Sequence, residues 1–374
     1  MVTRPTTIGS LRTYRYNLQH SFSSMDKAMN QVMSGRYFNS FAEDPVSAAR
    51  SFQLRRSYTR NTTQSEMNSE IVHKFDVAWQ TLDRVEEATD TVSGNSSVYA
   101  VLVGKNDPDA SGRNALGQQL CGLADTITQA MNNRYSDDYV FSGADGTTVP
   151  FTWETRGDGT RQLCYRGIPV DAAGVPAGQT ADPDPALQKA QQEALEYMAG
   201  EKKYADIGVG FKEEDGQLVR SSVFNMALQG INFLGYGTTE VTGESGTTYH
   251  LPNNVASIVD RMGKIFQNCD PVDGHWASDE EKEEFQLLAE KLEESAANLK
   301  NKRTELDTQT GFLKNNQTQL DTLSDELNAQ ITDLERPDEV ESITSFIFAK
   351  YTYGTALKVG NSVLGQSLMD YLNF

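Results

Sequence analysis

The chain has 374 residues, enough for about two or three domains that each bury a hydrophobic core. Lys and Arg number 33 against 52 Asp and Glu, a formal net charge of -19, which disfavours the phosphate backbone of a nucleic acid as a partner. Hydrophobic residues make up 38% of the chain, and no stretch approaches the roughly 20 apolar residues of a membrane-spanning helix, so we expect no membrane partner either.

Residues 1–40 are predicted to form an N-terminal assembly helix. Leu11, Leu18, Met25 and Val32 recur every seven residues, with Phe22 beside them, which is the spacing of a coiled-coil seam. The start of the sequence lacks the apolar run of a secretory signal peptide, so we expect a cytosolic protein or export by a route that needs no such signal. The first 60 residues carry a net charge of +6, which suits attraction between neighbouring copies or, equally, a solvated arm.

Residues 41–142 are predicted to form the first part of a helical stem. Two interleaved heptad stripes begin at Ile71 and Phe75 and reach Val103, and a further amphipathic pattern covers residues 116–131. Residues 143–250 differ, because Gly and Pro are frequent and heptads are absent. They are predicted to form an inserted domain of mixed α and β structure.

Four elements are expected inside this insertion. A Gly157-Asp158-Gly159 turn between two extended stretches, residues 152–155 and 161–170, predicts a β-hairpin. A second extended piece is expected over residues 207–219, and short helices over residues 187–198 and 222–231.

Residues 251–336 are predicted to form the second part of the stem. A short amphipathic pattern covers residues 255–265, and a long helix should begin near Ser278, which with Glu281 fits a capping box, and end before Pro337. The companion stripe of this helix is polar in its middle layers, so it needs other helices to complete its core, and we expect one four-helix bundle. The seven-residue repeat of the long helix is Phe285, Leu292, Leu299, Leu306, Leu313, Leu320, Leu327 and Leu334.

Residues 337–374 are predicted to form a C-terminal assembly helix, in which Ile343, Leu357, Leu364 and Tyr371 share a seven-residue frame that Lys350 interrupts. Ordering about 30 residues costs more free energy than burying about six such side chains returns. We therefore expect both ends to be mobile in a monomer and helical only against other copies. The candidate contacts between subunits, for which intrachain packing is the alternative, are Leu11, Leu18, Phe22, Met25, Ile343, Ile347, Leu357, Leu364 and Leu368.

Residues that usually carry catalysis or bind cofactors are sparse. The sequence has four histidines and three cysteines, none of them in a zinc spacing or a Cys-x-x-Cys pair. Nucleophile-elbow and phosphate-binding loop motifs are absent. We expect no enzyme, and no catalytic, cofactor or metal site.

Two short motifs have a plainer explanation than ligand binding. Asp107-x-Asp109-x-Ser111-Gly112 begins like a calcium loop, but Gln118 stands where such a loop has its bidentate Glu, so a turn before a capped helix is favoured. Arg156-Gly157-Asp158 is an integrin-type tripeptide at the predicted hairpin tip, where turn chemistry already accounts for it.

Several segments carry motifs that are similar to those of a known protein family and one of its branches. Residues 32–45 are similar to the segment that connects the terminal and stem helices of flagellins, with Ser-Gly-Arg, Asn-Ser, acidic residues and Pro in order. Residues 139–151 and the ending 367–372 resemble the flagellin-like family that forms the hook-filament junction, and residues 206–237 are similar to its inserted domain. The motif residues are Ser34, Gly35, Arg36, Asn39, Ser40, Asp44, Pro45, Phe141, Gly143, Pro150 and Phe151.

The resemblance implies a mainly α fold with an inserted α/β or β-rich domain, on a flagellin-like stem of long helices built from the N- and C-terminal segments. It implies a structural subunit at the junction between hook and filament, placed outside the cell and exported unfolded by the flagellar type III apparatus with an export chaperone. The implied partners are the first hook-associated protein, flagellin and further copies in a ring-like layer. A filament flagellin, or a surface adhesin that binds through Arg156-Gly157-Asp158, are the alternatives.

Overall fold

The computed structural model describes residues 7–38, 40–93, 110–157, 159–180, 182–210, 212–214, 217–219, 222–269 and 276–372. The chain divides into two compact units. The terminal unit comprises Met1–Thr63 and Gln319–Phe374, and the central unit comprises Gln64–Thr318. The finer division into segments 1–40, 41–142, 143–250, 251–336 and 337–374 remains a prediction.

The described residues are mostly helical, as the sequence predicts. Helices α2 and α7 contribute residues to both units. In chain order the helices are α1 (Thr7–Ser34), α2 (Pro45–Asp90), α3 (Ala110–Met131), α4 (Pro185–Ala199), α5 (Gly230–Leu234), α6 (Val255–Asn268), α7 (Asp279–Glu335) and α8 (Glu339–Leu372).

Helix α7 confirms the long helix predicted from the seven-residue repeat. The Glu281 N–H donates a hydrogen bond to Ser278 Oγ (3.1 Å) at its start, and Pro337 follows its end. The repeat is buried from Phe285 to Leu327, and Leu334 is half-buried. Because a seven-residue period keeps one seam on the same side of a helix, this stripe faces other helices through most of its length.

The four predicted bundle helices share one hydrophobic core in the central unit. Helices α2, α3, α6 and α7 contribute Phe75, Leu120, Ile258 and Leu299 to it, all with at most 1% of their surface exposed. Helix α3 begins at Ala110, so the end of the calcium-like stretch and Gln118 are helical. Tyr99, Val103, Asp107 and Asp109 lie outside the described residues.

In the polar middle of α7, polar side chains contact polar side chains of α2. In the central unit, Asn68 of α2 is fully buried and donates hydrogen bonds to Leu313 O (3.0 Å) and Gln317 Oε1 (2.8 Å). Arg303 of α7 forms an ion pair with Glu86 of α2, with 3.0 Å between Nε and Oε2. A buried amide that finds its partners in only one alignment fixes the register of a helix pair. These layers therefore set how α2 and α7 align.

The insertion forms small antiparallel sheets. The predicted hairpin is confirmed: Phe151 is opposite Tyr165, Thr155 is opposite Arg161, and a third strand extends the sheet. Asp158 at its tip lies outside the described residues. The strands are β1 (Arg134–Tyr135), β2 (Asp138–Tyr139), β3 (Ser142–Gly143), β4 (Phe151–Thr155), β5 (Arg161–Tyr165), β6 (Ile168–Pro169), β7 (Tyr204–Ala205), β8 (Glu213–Glu214), β9 (Gln217–Leu218), β10 (Phe224–Asn225), β11 (Leu228–Gln229), β12 (Thr238–Thr242) and β13 (Thr248–Pro252).

Two predicted elements of the insertion differ in the structure. Residues 222–231 were expected to be helical, but they form β10 and β11 before the short α5, and β11 pairs with β3. The Asn225 side chain accepts hydrogen bonds from the N–H groups of Lys203 and Ala227, which holds the chain in a turn. The extended piece expected from residue 207 is irregular up to residue 210, because Gly208 and Gly210 adopt φ values of 87° and 91°. The described remainder of this piece, up to residue 219, contains the β8–β9 hairpin.

Candidate assembly surface

Helices α1 and α8, the two chain ends, pack against each other in antiparallel orientation. The Tyr14 hydroxyl donates a hydrogen bond to Ala356 O (3.0 Å), and the ring centroids of Phe22 and Tyr353 lie 5.6 Å apart. Residue numbers thus rise along α1 in the direction in which they fall along α8. The two helices form one pair within a single chain; their mobility in a dilute monomer remains a prediction.

Each of these helices directs one heptad seam towards the other. The buried and half-buried positions recur at alternating steps of four and three residues, as in a coiled coil. Small side chains predominate on the α8 seam, and a Cβ atom on Gly360 would collide with the Tyr14 ring. The seam positions are Tyr14, Leu18, Ser21, Met25 and Ala28 of α1, and Ser342, Phe346, Ala349, Tyr353, Ala356 and Gly360 of α8.

The other faces of the pair leave large apolar side chains in solvent. Tyr351 is 73% exposed and Phe348 is 68% exposed. Among the described residues, most exposed large apolar side chains belong to the terminal unit. Concentrated exposure of this kind marks a surface that binds another protein. The residues concerned are Tyr16, Phe22, Val32 and Met33 of α1, and Val340, Ile343, Ile347, Phe348, Tyr351, Leu357 and Val359 of α8.

The nine residues predicted to contact other subunits fall into three groups. Leu18 and Met25 lie on the seam, where they pack within the chain. Four are exposed, namely Phe22, Ile343, Ile347 and Leu357, and Phe22 also touches Tyr353. The side chains of Leu11, Leu364 and Leu368 lie outside the described part of the structure. The role of all nine between subunits remains a prediction.

Part of the exposed face of α8 was not predicted from the sequence. Val340, Ile343, Ile347 and Tyr351 follow one another at steps of three or four residues and are all exposed. The frame of strict seven-residue steps through Ile343 passes over the other three, of which only Ile347 was among the predicted contacts. A helical projection of residues 339–360 contains the signal that would have found them.

The motif that connects α1 to α2 ends one helix and begins the next. Gly35 has a φ of 63° and donates its N–H to the carbonyl four residues earlier, a glycine-terminated helix end. Asp44 Oδ1 accepts a hydrogen bond from the Ser47 N–H (3.1 Å), and Pro45 occupies the first position of α2. Hydrogen bonds from Ser47 lower the pKa of the Asp44 carboxyl. Asn39 lies outside the described residues.

Glu335 joins α7 to α2 and to this connection. Its carboxylate accepts hydrogen bonds from Arg55 (Nε to Oε1, 2.7 Å) and from the Ser51 hydroxyl, and its carbonyl accepts the Tyr37 N–H (2.7 Å). The hydrogen bond from Arg55 lowers the pKa of Glu335 to about 2, so the carboxylate is ionised at neutral pH. A depression of about 220 Å³ beside it is lined by Arg36, Phe38, Ser40, Phe41, Arg55 and Glu335.

The second motif, residues 139–151, packs inside the central unit. The carbonyl of Phe141 accepts a hydrogen bond from the Tyr165 hydroxyl (2.9 Å), and the rings of Phe151 and Tyr165 lie 5.1 Å apart. Gly143 has a φ of 77°, and Pro150 is buried. These residues hold the insertion onto the bundle and belong to the core.

Formal charge is divided unequally between the two units. Met1–Thr63 has nine basic and three acidic residues, and Gln319–Phe374 has three basic and nine acidic ones, so the terminal unit is neutral. The central unit therefore carries the whole net charge of -19. Copies of a neutral unit approach without net repulsion, whereas the central units repel one another.

The cysteines and the remaining polar groups offer no reactive centre in the described ranges. Cys121, Cys164 and Cys269 are free, and burial raises the pKa of Cys121 to about 11 and that of Cys164 to about 12, so these two thiols are protonated at neutral pH. No group of three His, Cys, Asp or Glu side chains there is placed to hold a metal ion. No helix in those ranges is long and apolar enough to cross a membrane.

A family model described as the bacterial flagellin N-terminal helical region matches residues 6–145, from the start of α1 to the end of β3. Residues 6–145 thus carry the flagellin N-terminal helical region, a part of structural, non-enzymatic proteins of the bacterial flagellum. The comparison with curated proteins gave no match.

Solved structures of flagellar proteins are similar to this flagellin-like chain in part. One crystal form of FlgL from Xanthomonas campestris is 10% identical, covers 75% of this chain and 99% of its own, and gives a TM-score of 0.47. A second crystal form is 12% identical, covers 69% of this chain and 93% of its own, and gives a TM-score of 0.43. Hook-associated protein 3 of Legionella pneumophila is 11% identical, covers 78% of this chain and 98% of its own, and gives 0.41. The assignment of residues 6–145 rests on the family match alone.

Proposed function

We propose that this flagellin-like chain forms the junction between the hook-associated protein layer and the flagellin filament. The observation that supports assembly is the neutral terminal unit, whose paired helices α1 and α8 leave large apolar side chains in solvent. Burying them against a neighbour releases water from apolar surface and stabilises the complex. Residues 139–151 and the ending 367–372 resemble junction proteins more than filament flagellins, which favours the junction over the filament.

An adaptor between two different layers needs two different binding faces. We place the first hook-associated protein on one face and flagellin on the other, with further copies of the chain beside it in a ring-like layer. The exposed residues of α1 and α8 are the proposed contacts. Leu11, Leu364 and Leu368 are proposed to join them, as the sequence pattern predicts.

Export completes this proposal. We infer that the chain passes unfolded through the flagellar type III apparatus, delivered by an export chaperone, and orders outside the cell. The three cysteines are free, so no disulfide has to be broken before the chain is threaded through a narrow channel.

Gold-labelled antibody imaging of intact flagella tests the location. The junction role predicts label confined to a band where the hook meets the filament. A strain that lacks the gene provides the control for antibody specificity. Label along the whole filament would make the chain a flagellin, and label elsewhere on the cell would remove it from the flagellar axis.

Truncation tests the role of the paired ends. A chain without residues 345–374 loses nearly all of α8, so α1 loses its partner while the core of the central unit stays complete. We expect the truncated protein to keep the far-UV circular dichroism of the central unit and to be absent from flagella. Normal incorporation of the truncated chain would refute assembly through the terminal unit.

Hydrogen exchange tests the mobility of the ends. On the α8 side, four of the six seam side chains are small, so packing of the seam within one chain returns only part of the free energy that ordering the ends costs. We expect fast amide exchange in residues 1–35 of a dilute monomer and slow exchange after assembly. Strong protection of these amides in the monomer would contradict this expectation.

A further inference from the structure

We propose that, within an assembly of copies, the basic outward face of α2 in one copy binds the acidic outward face of α7 in the next. This inference rests on the proposed function, because it names the surfaces through which copies in the same layer meet. It concerns only the parts of α2 and α7 that belong to the terminal unit, residues 45–63 and 319–335.

The outward face of α2 combines positive charge with apolar side chains. Ser51 and Asn61 define the buried side of the helix, and Arg56, five residues from each, lies about 140° around the helix from both. Arg56 is exposed on this face; Arg50 is also exposed but flanks the face, about 20° around the helix from Asn61, and within the described residues neither forms an ion pair. Phe52 is 69% exposed on the same helix. A guanidinium group beside an aromatic ring is a frequent centre of a protein interface.

The outward face of α7 carries the opposite charge. Leu327 and Ile331 are buried against the rest of the terminal unit, and Asp325 and Asp333 each lie two residues away, about 160° around the helix. Both carboxylates are exposed, and neither has an ion-pair partner among the described residues. The exposed Ala329 between them presents no bulk to an approaching helix.

These two faces point away from each other. Helices α2 and α7 contact one another through Asn61, which donates hydrogen bonds to Leu320 O (2.7 Å) and Ser324 Oγ (2.8 Å), and through the Arg55–Glu335 pair. Arg56, Asp325 and Asp333 lie on the far sides of their helices from these contacts. A unit that is positive on one side and negative on the other binds its copies front to back, the heterologous geometry that gives rings or helical layers.

Charge also explains why this contact belongs to the terminal unit. Exposed ion pairs contribute modestly to affinity but strongly to the choice of partner and orientation. The terminal unit is neutral as a whole, so its two charged faces attract without a net repulsion to overcome, while the acidic central units keep apart. The exposed apolar side chains supply the affinity, and the charges select the pairing.

Charge reversal tests this pairing in cells whose only copy is the variant. One double variant is Arg50→Glu with Arg56→Glu, a second is Asp325→Lys with Asp333→Lys, and a fourfold variant combines them. The readout is gold label per flagellum, with the amount of exported protein in the medium measured in parallel to separate assembly from export. Lys189→Glu with Lys202→Glu, in the central unit, is the control with the same change in net charge as the first double variant.

We expect each double variant to lower the label about tenfold or more and the control to leave it unchanged. The fourfold variant, and coexpression of the two double variants, should return it to within about twofold of wild type, because reversed faces fit each other. Wild-type label with either double variant would overturn the inference, as would a fourfold variant that stays unlabelled. A wild-type band at the junction together with such a result leaves the proposed function standing and removes only this pairing.

Discussion

Two glycines on helix α3 give a matched test of how closely α3 and α6 are packed. A Cβ atom on Gly117 would lie 2.7 Å from Gly263 O, and one on Gly263 would lie 2.8 Å from Gly117 O. Gly122 is on the same helix, is exposed, and has nothing within 4 Å of its Cβ position. Backbone carbonyls cannot rotate away from a new methyl group, so Gly117→Ala has to push the two helices apart.

The changes expected in the free energy of unfolding differ in sign between the two substitutions. Replacing Gly by Ala inside a helix stabilises it by about 1 kcal/mol, since the unfolded chain loses backbone freedom. Gly122→Ala should gain that amount in the free energy of unfolding. Gly117→Ala gains the same term, but overpacking a core costs about 1–3 kcal/mol, and an obstacle formed by backbone belongs at the upper end. We expect a net loss of about 1–2 kcal/mol, so the two variants should differ by about 2–3 kcal/mol.

Urea unfolding followed by tryptophan fluorescence measures this difference. All three tryptophans, Trp79, Trp153 and Trp276, lie in the central unit, so the signal reports the unit in which α3 and α6 cross. The midpoint for Gly122→Ala should rise and that for Gly117→Ala should fall. Equal stabilisation by both substitutions would refute the close crossing of the helices.

Three further outcomes follow from particular contacts. In the assembled protein, where slow exchange is expected, Gly360→Ala should displace Tyr14 and speed amide exchange in α1, whereas Gly354→Ala on the same helix, with nothing within 4 Å, should not; equal exchange in both would refute the close packing at Gly360. Burial raises the pKa of Asp171 to about 6 from an ordinary 3.8, so the folded state loses stability relative to the unfolded state as the pH rises from about 4 to 6. Asp171→Asn should therefore raise the free energy of unfolding by about 2–3 kcal/mol at pH 8 and little at pH 3.5. An equal change at both pH values would contradict this. Asn68→Leu should lower the same free energy by about 1–3 kcal/mol, because Leu313 O and Gln317 Oε1 lose the hydrogen bonds that the buried Asn68 amide donates; an unchanged urea midpoint would refute that role.

Long-range periodicity carried most of what the sequence could predict. The repeat from Phe285 to Leu334 gave α7 within about a residue at each end, since its buried positions are large and its limits are marked by Ser278 and Pro337. The helix predicted over residues 222–231 was wrong for the opposite reason. A run of ten residues with a few apolar side chains fits a helix or a strand, and the pairing of β11 with β3, more than 80 residues earlier in the chain, decided between them.

The terminal pair shows a different limit of sequence patterns. The seven-residue frame of Ile343 and Leu357 marked a real helix, but these residues are exposed, and the seam that faces α1 is formed by Ala349, Ala356 and Gly360 among others. Small residues carry little hydrophobic signal, so a search for large apolar side chains finds the outer face and passes over the inner one. The sequence could therefore predict that α8 has an adhesive stripe without predicting what the stripe faces.

The same arrangement explains how a chain can be stable by itself and still gain from assembly. Apolar burial stabilises by about 25 cal/mol per Å², and four of the six α8 seam positions are Ser, Ala or Gly, so the α8 side of the seam adds little buried area. Ile347, Phe348 and Tyr351 would stabilise the pair far more if they were turned inward, but a neighbour would then find no apolar surface to cover. The central unit has no such restriction and buries its large side chains in one core. Stability is thus concentrated in the central unit, and most of the exposed large apolar side chains lie in the terminal unit, which reaches the neighbouring subunits in the proposed assembly.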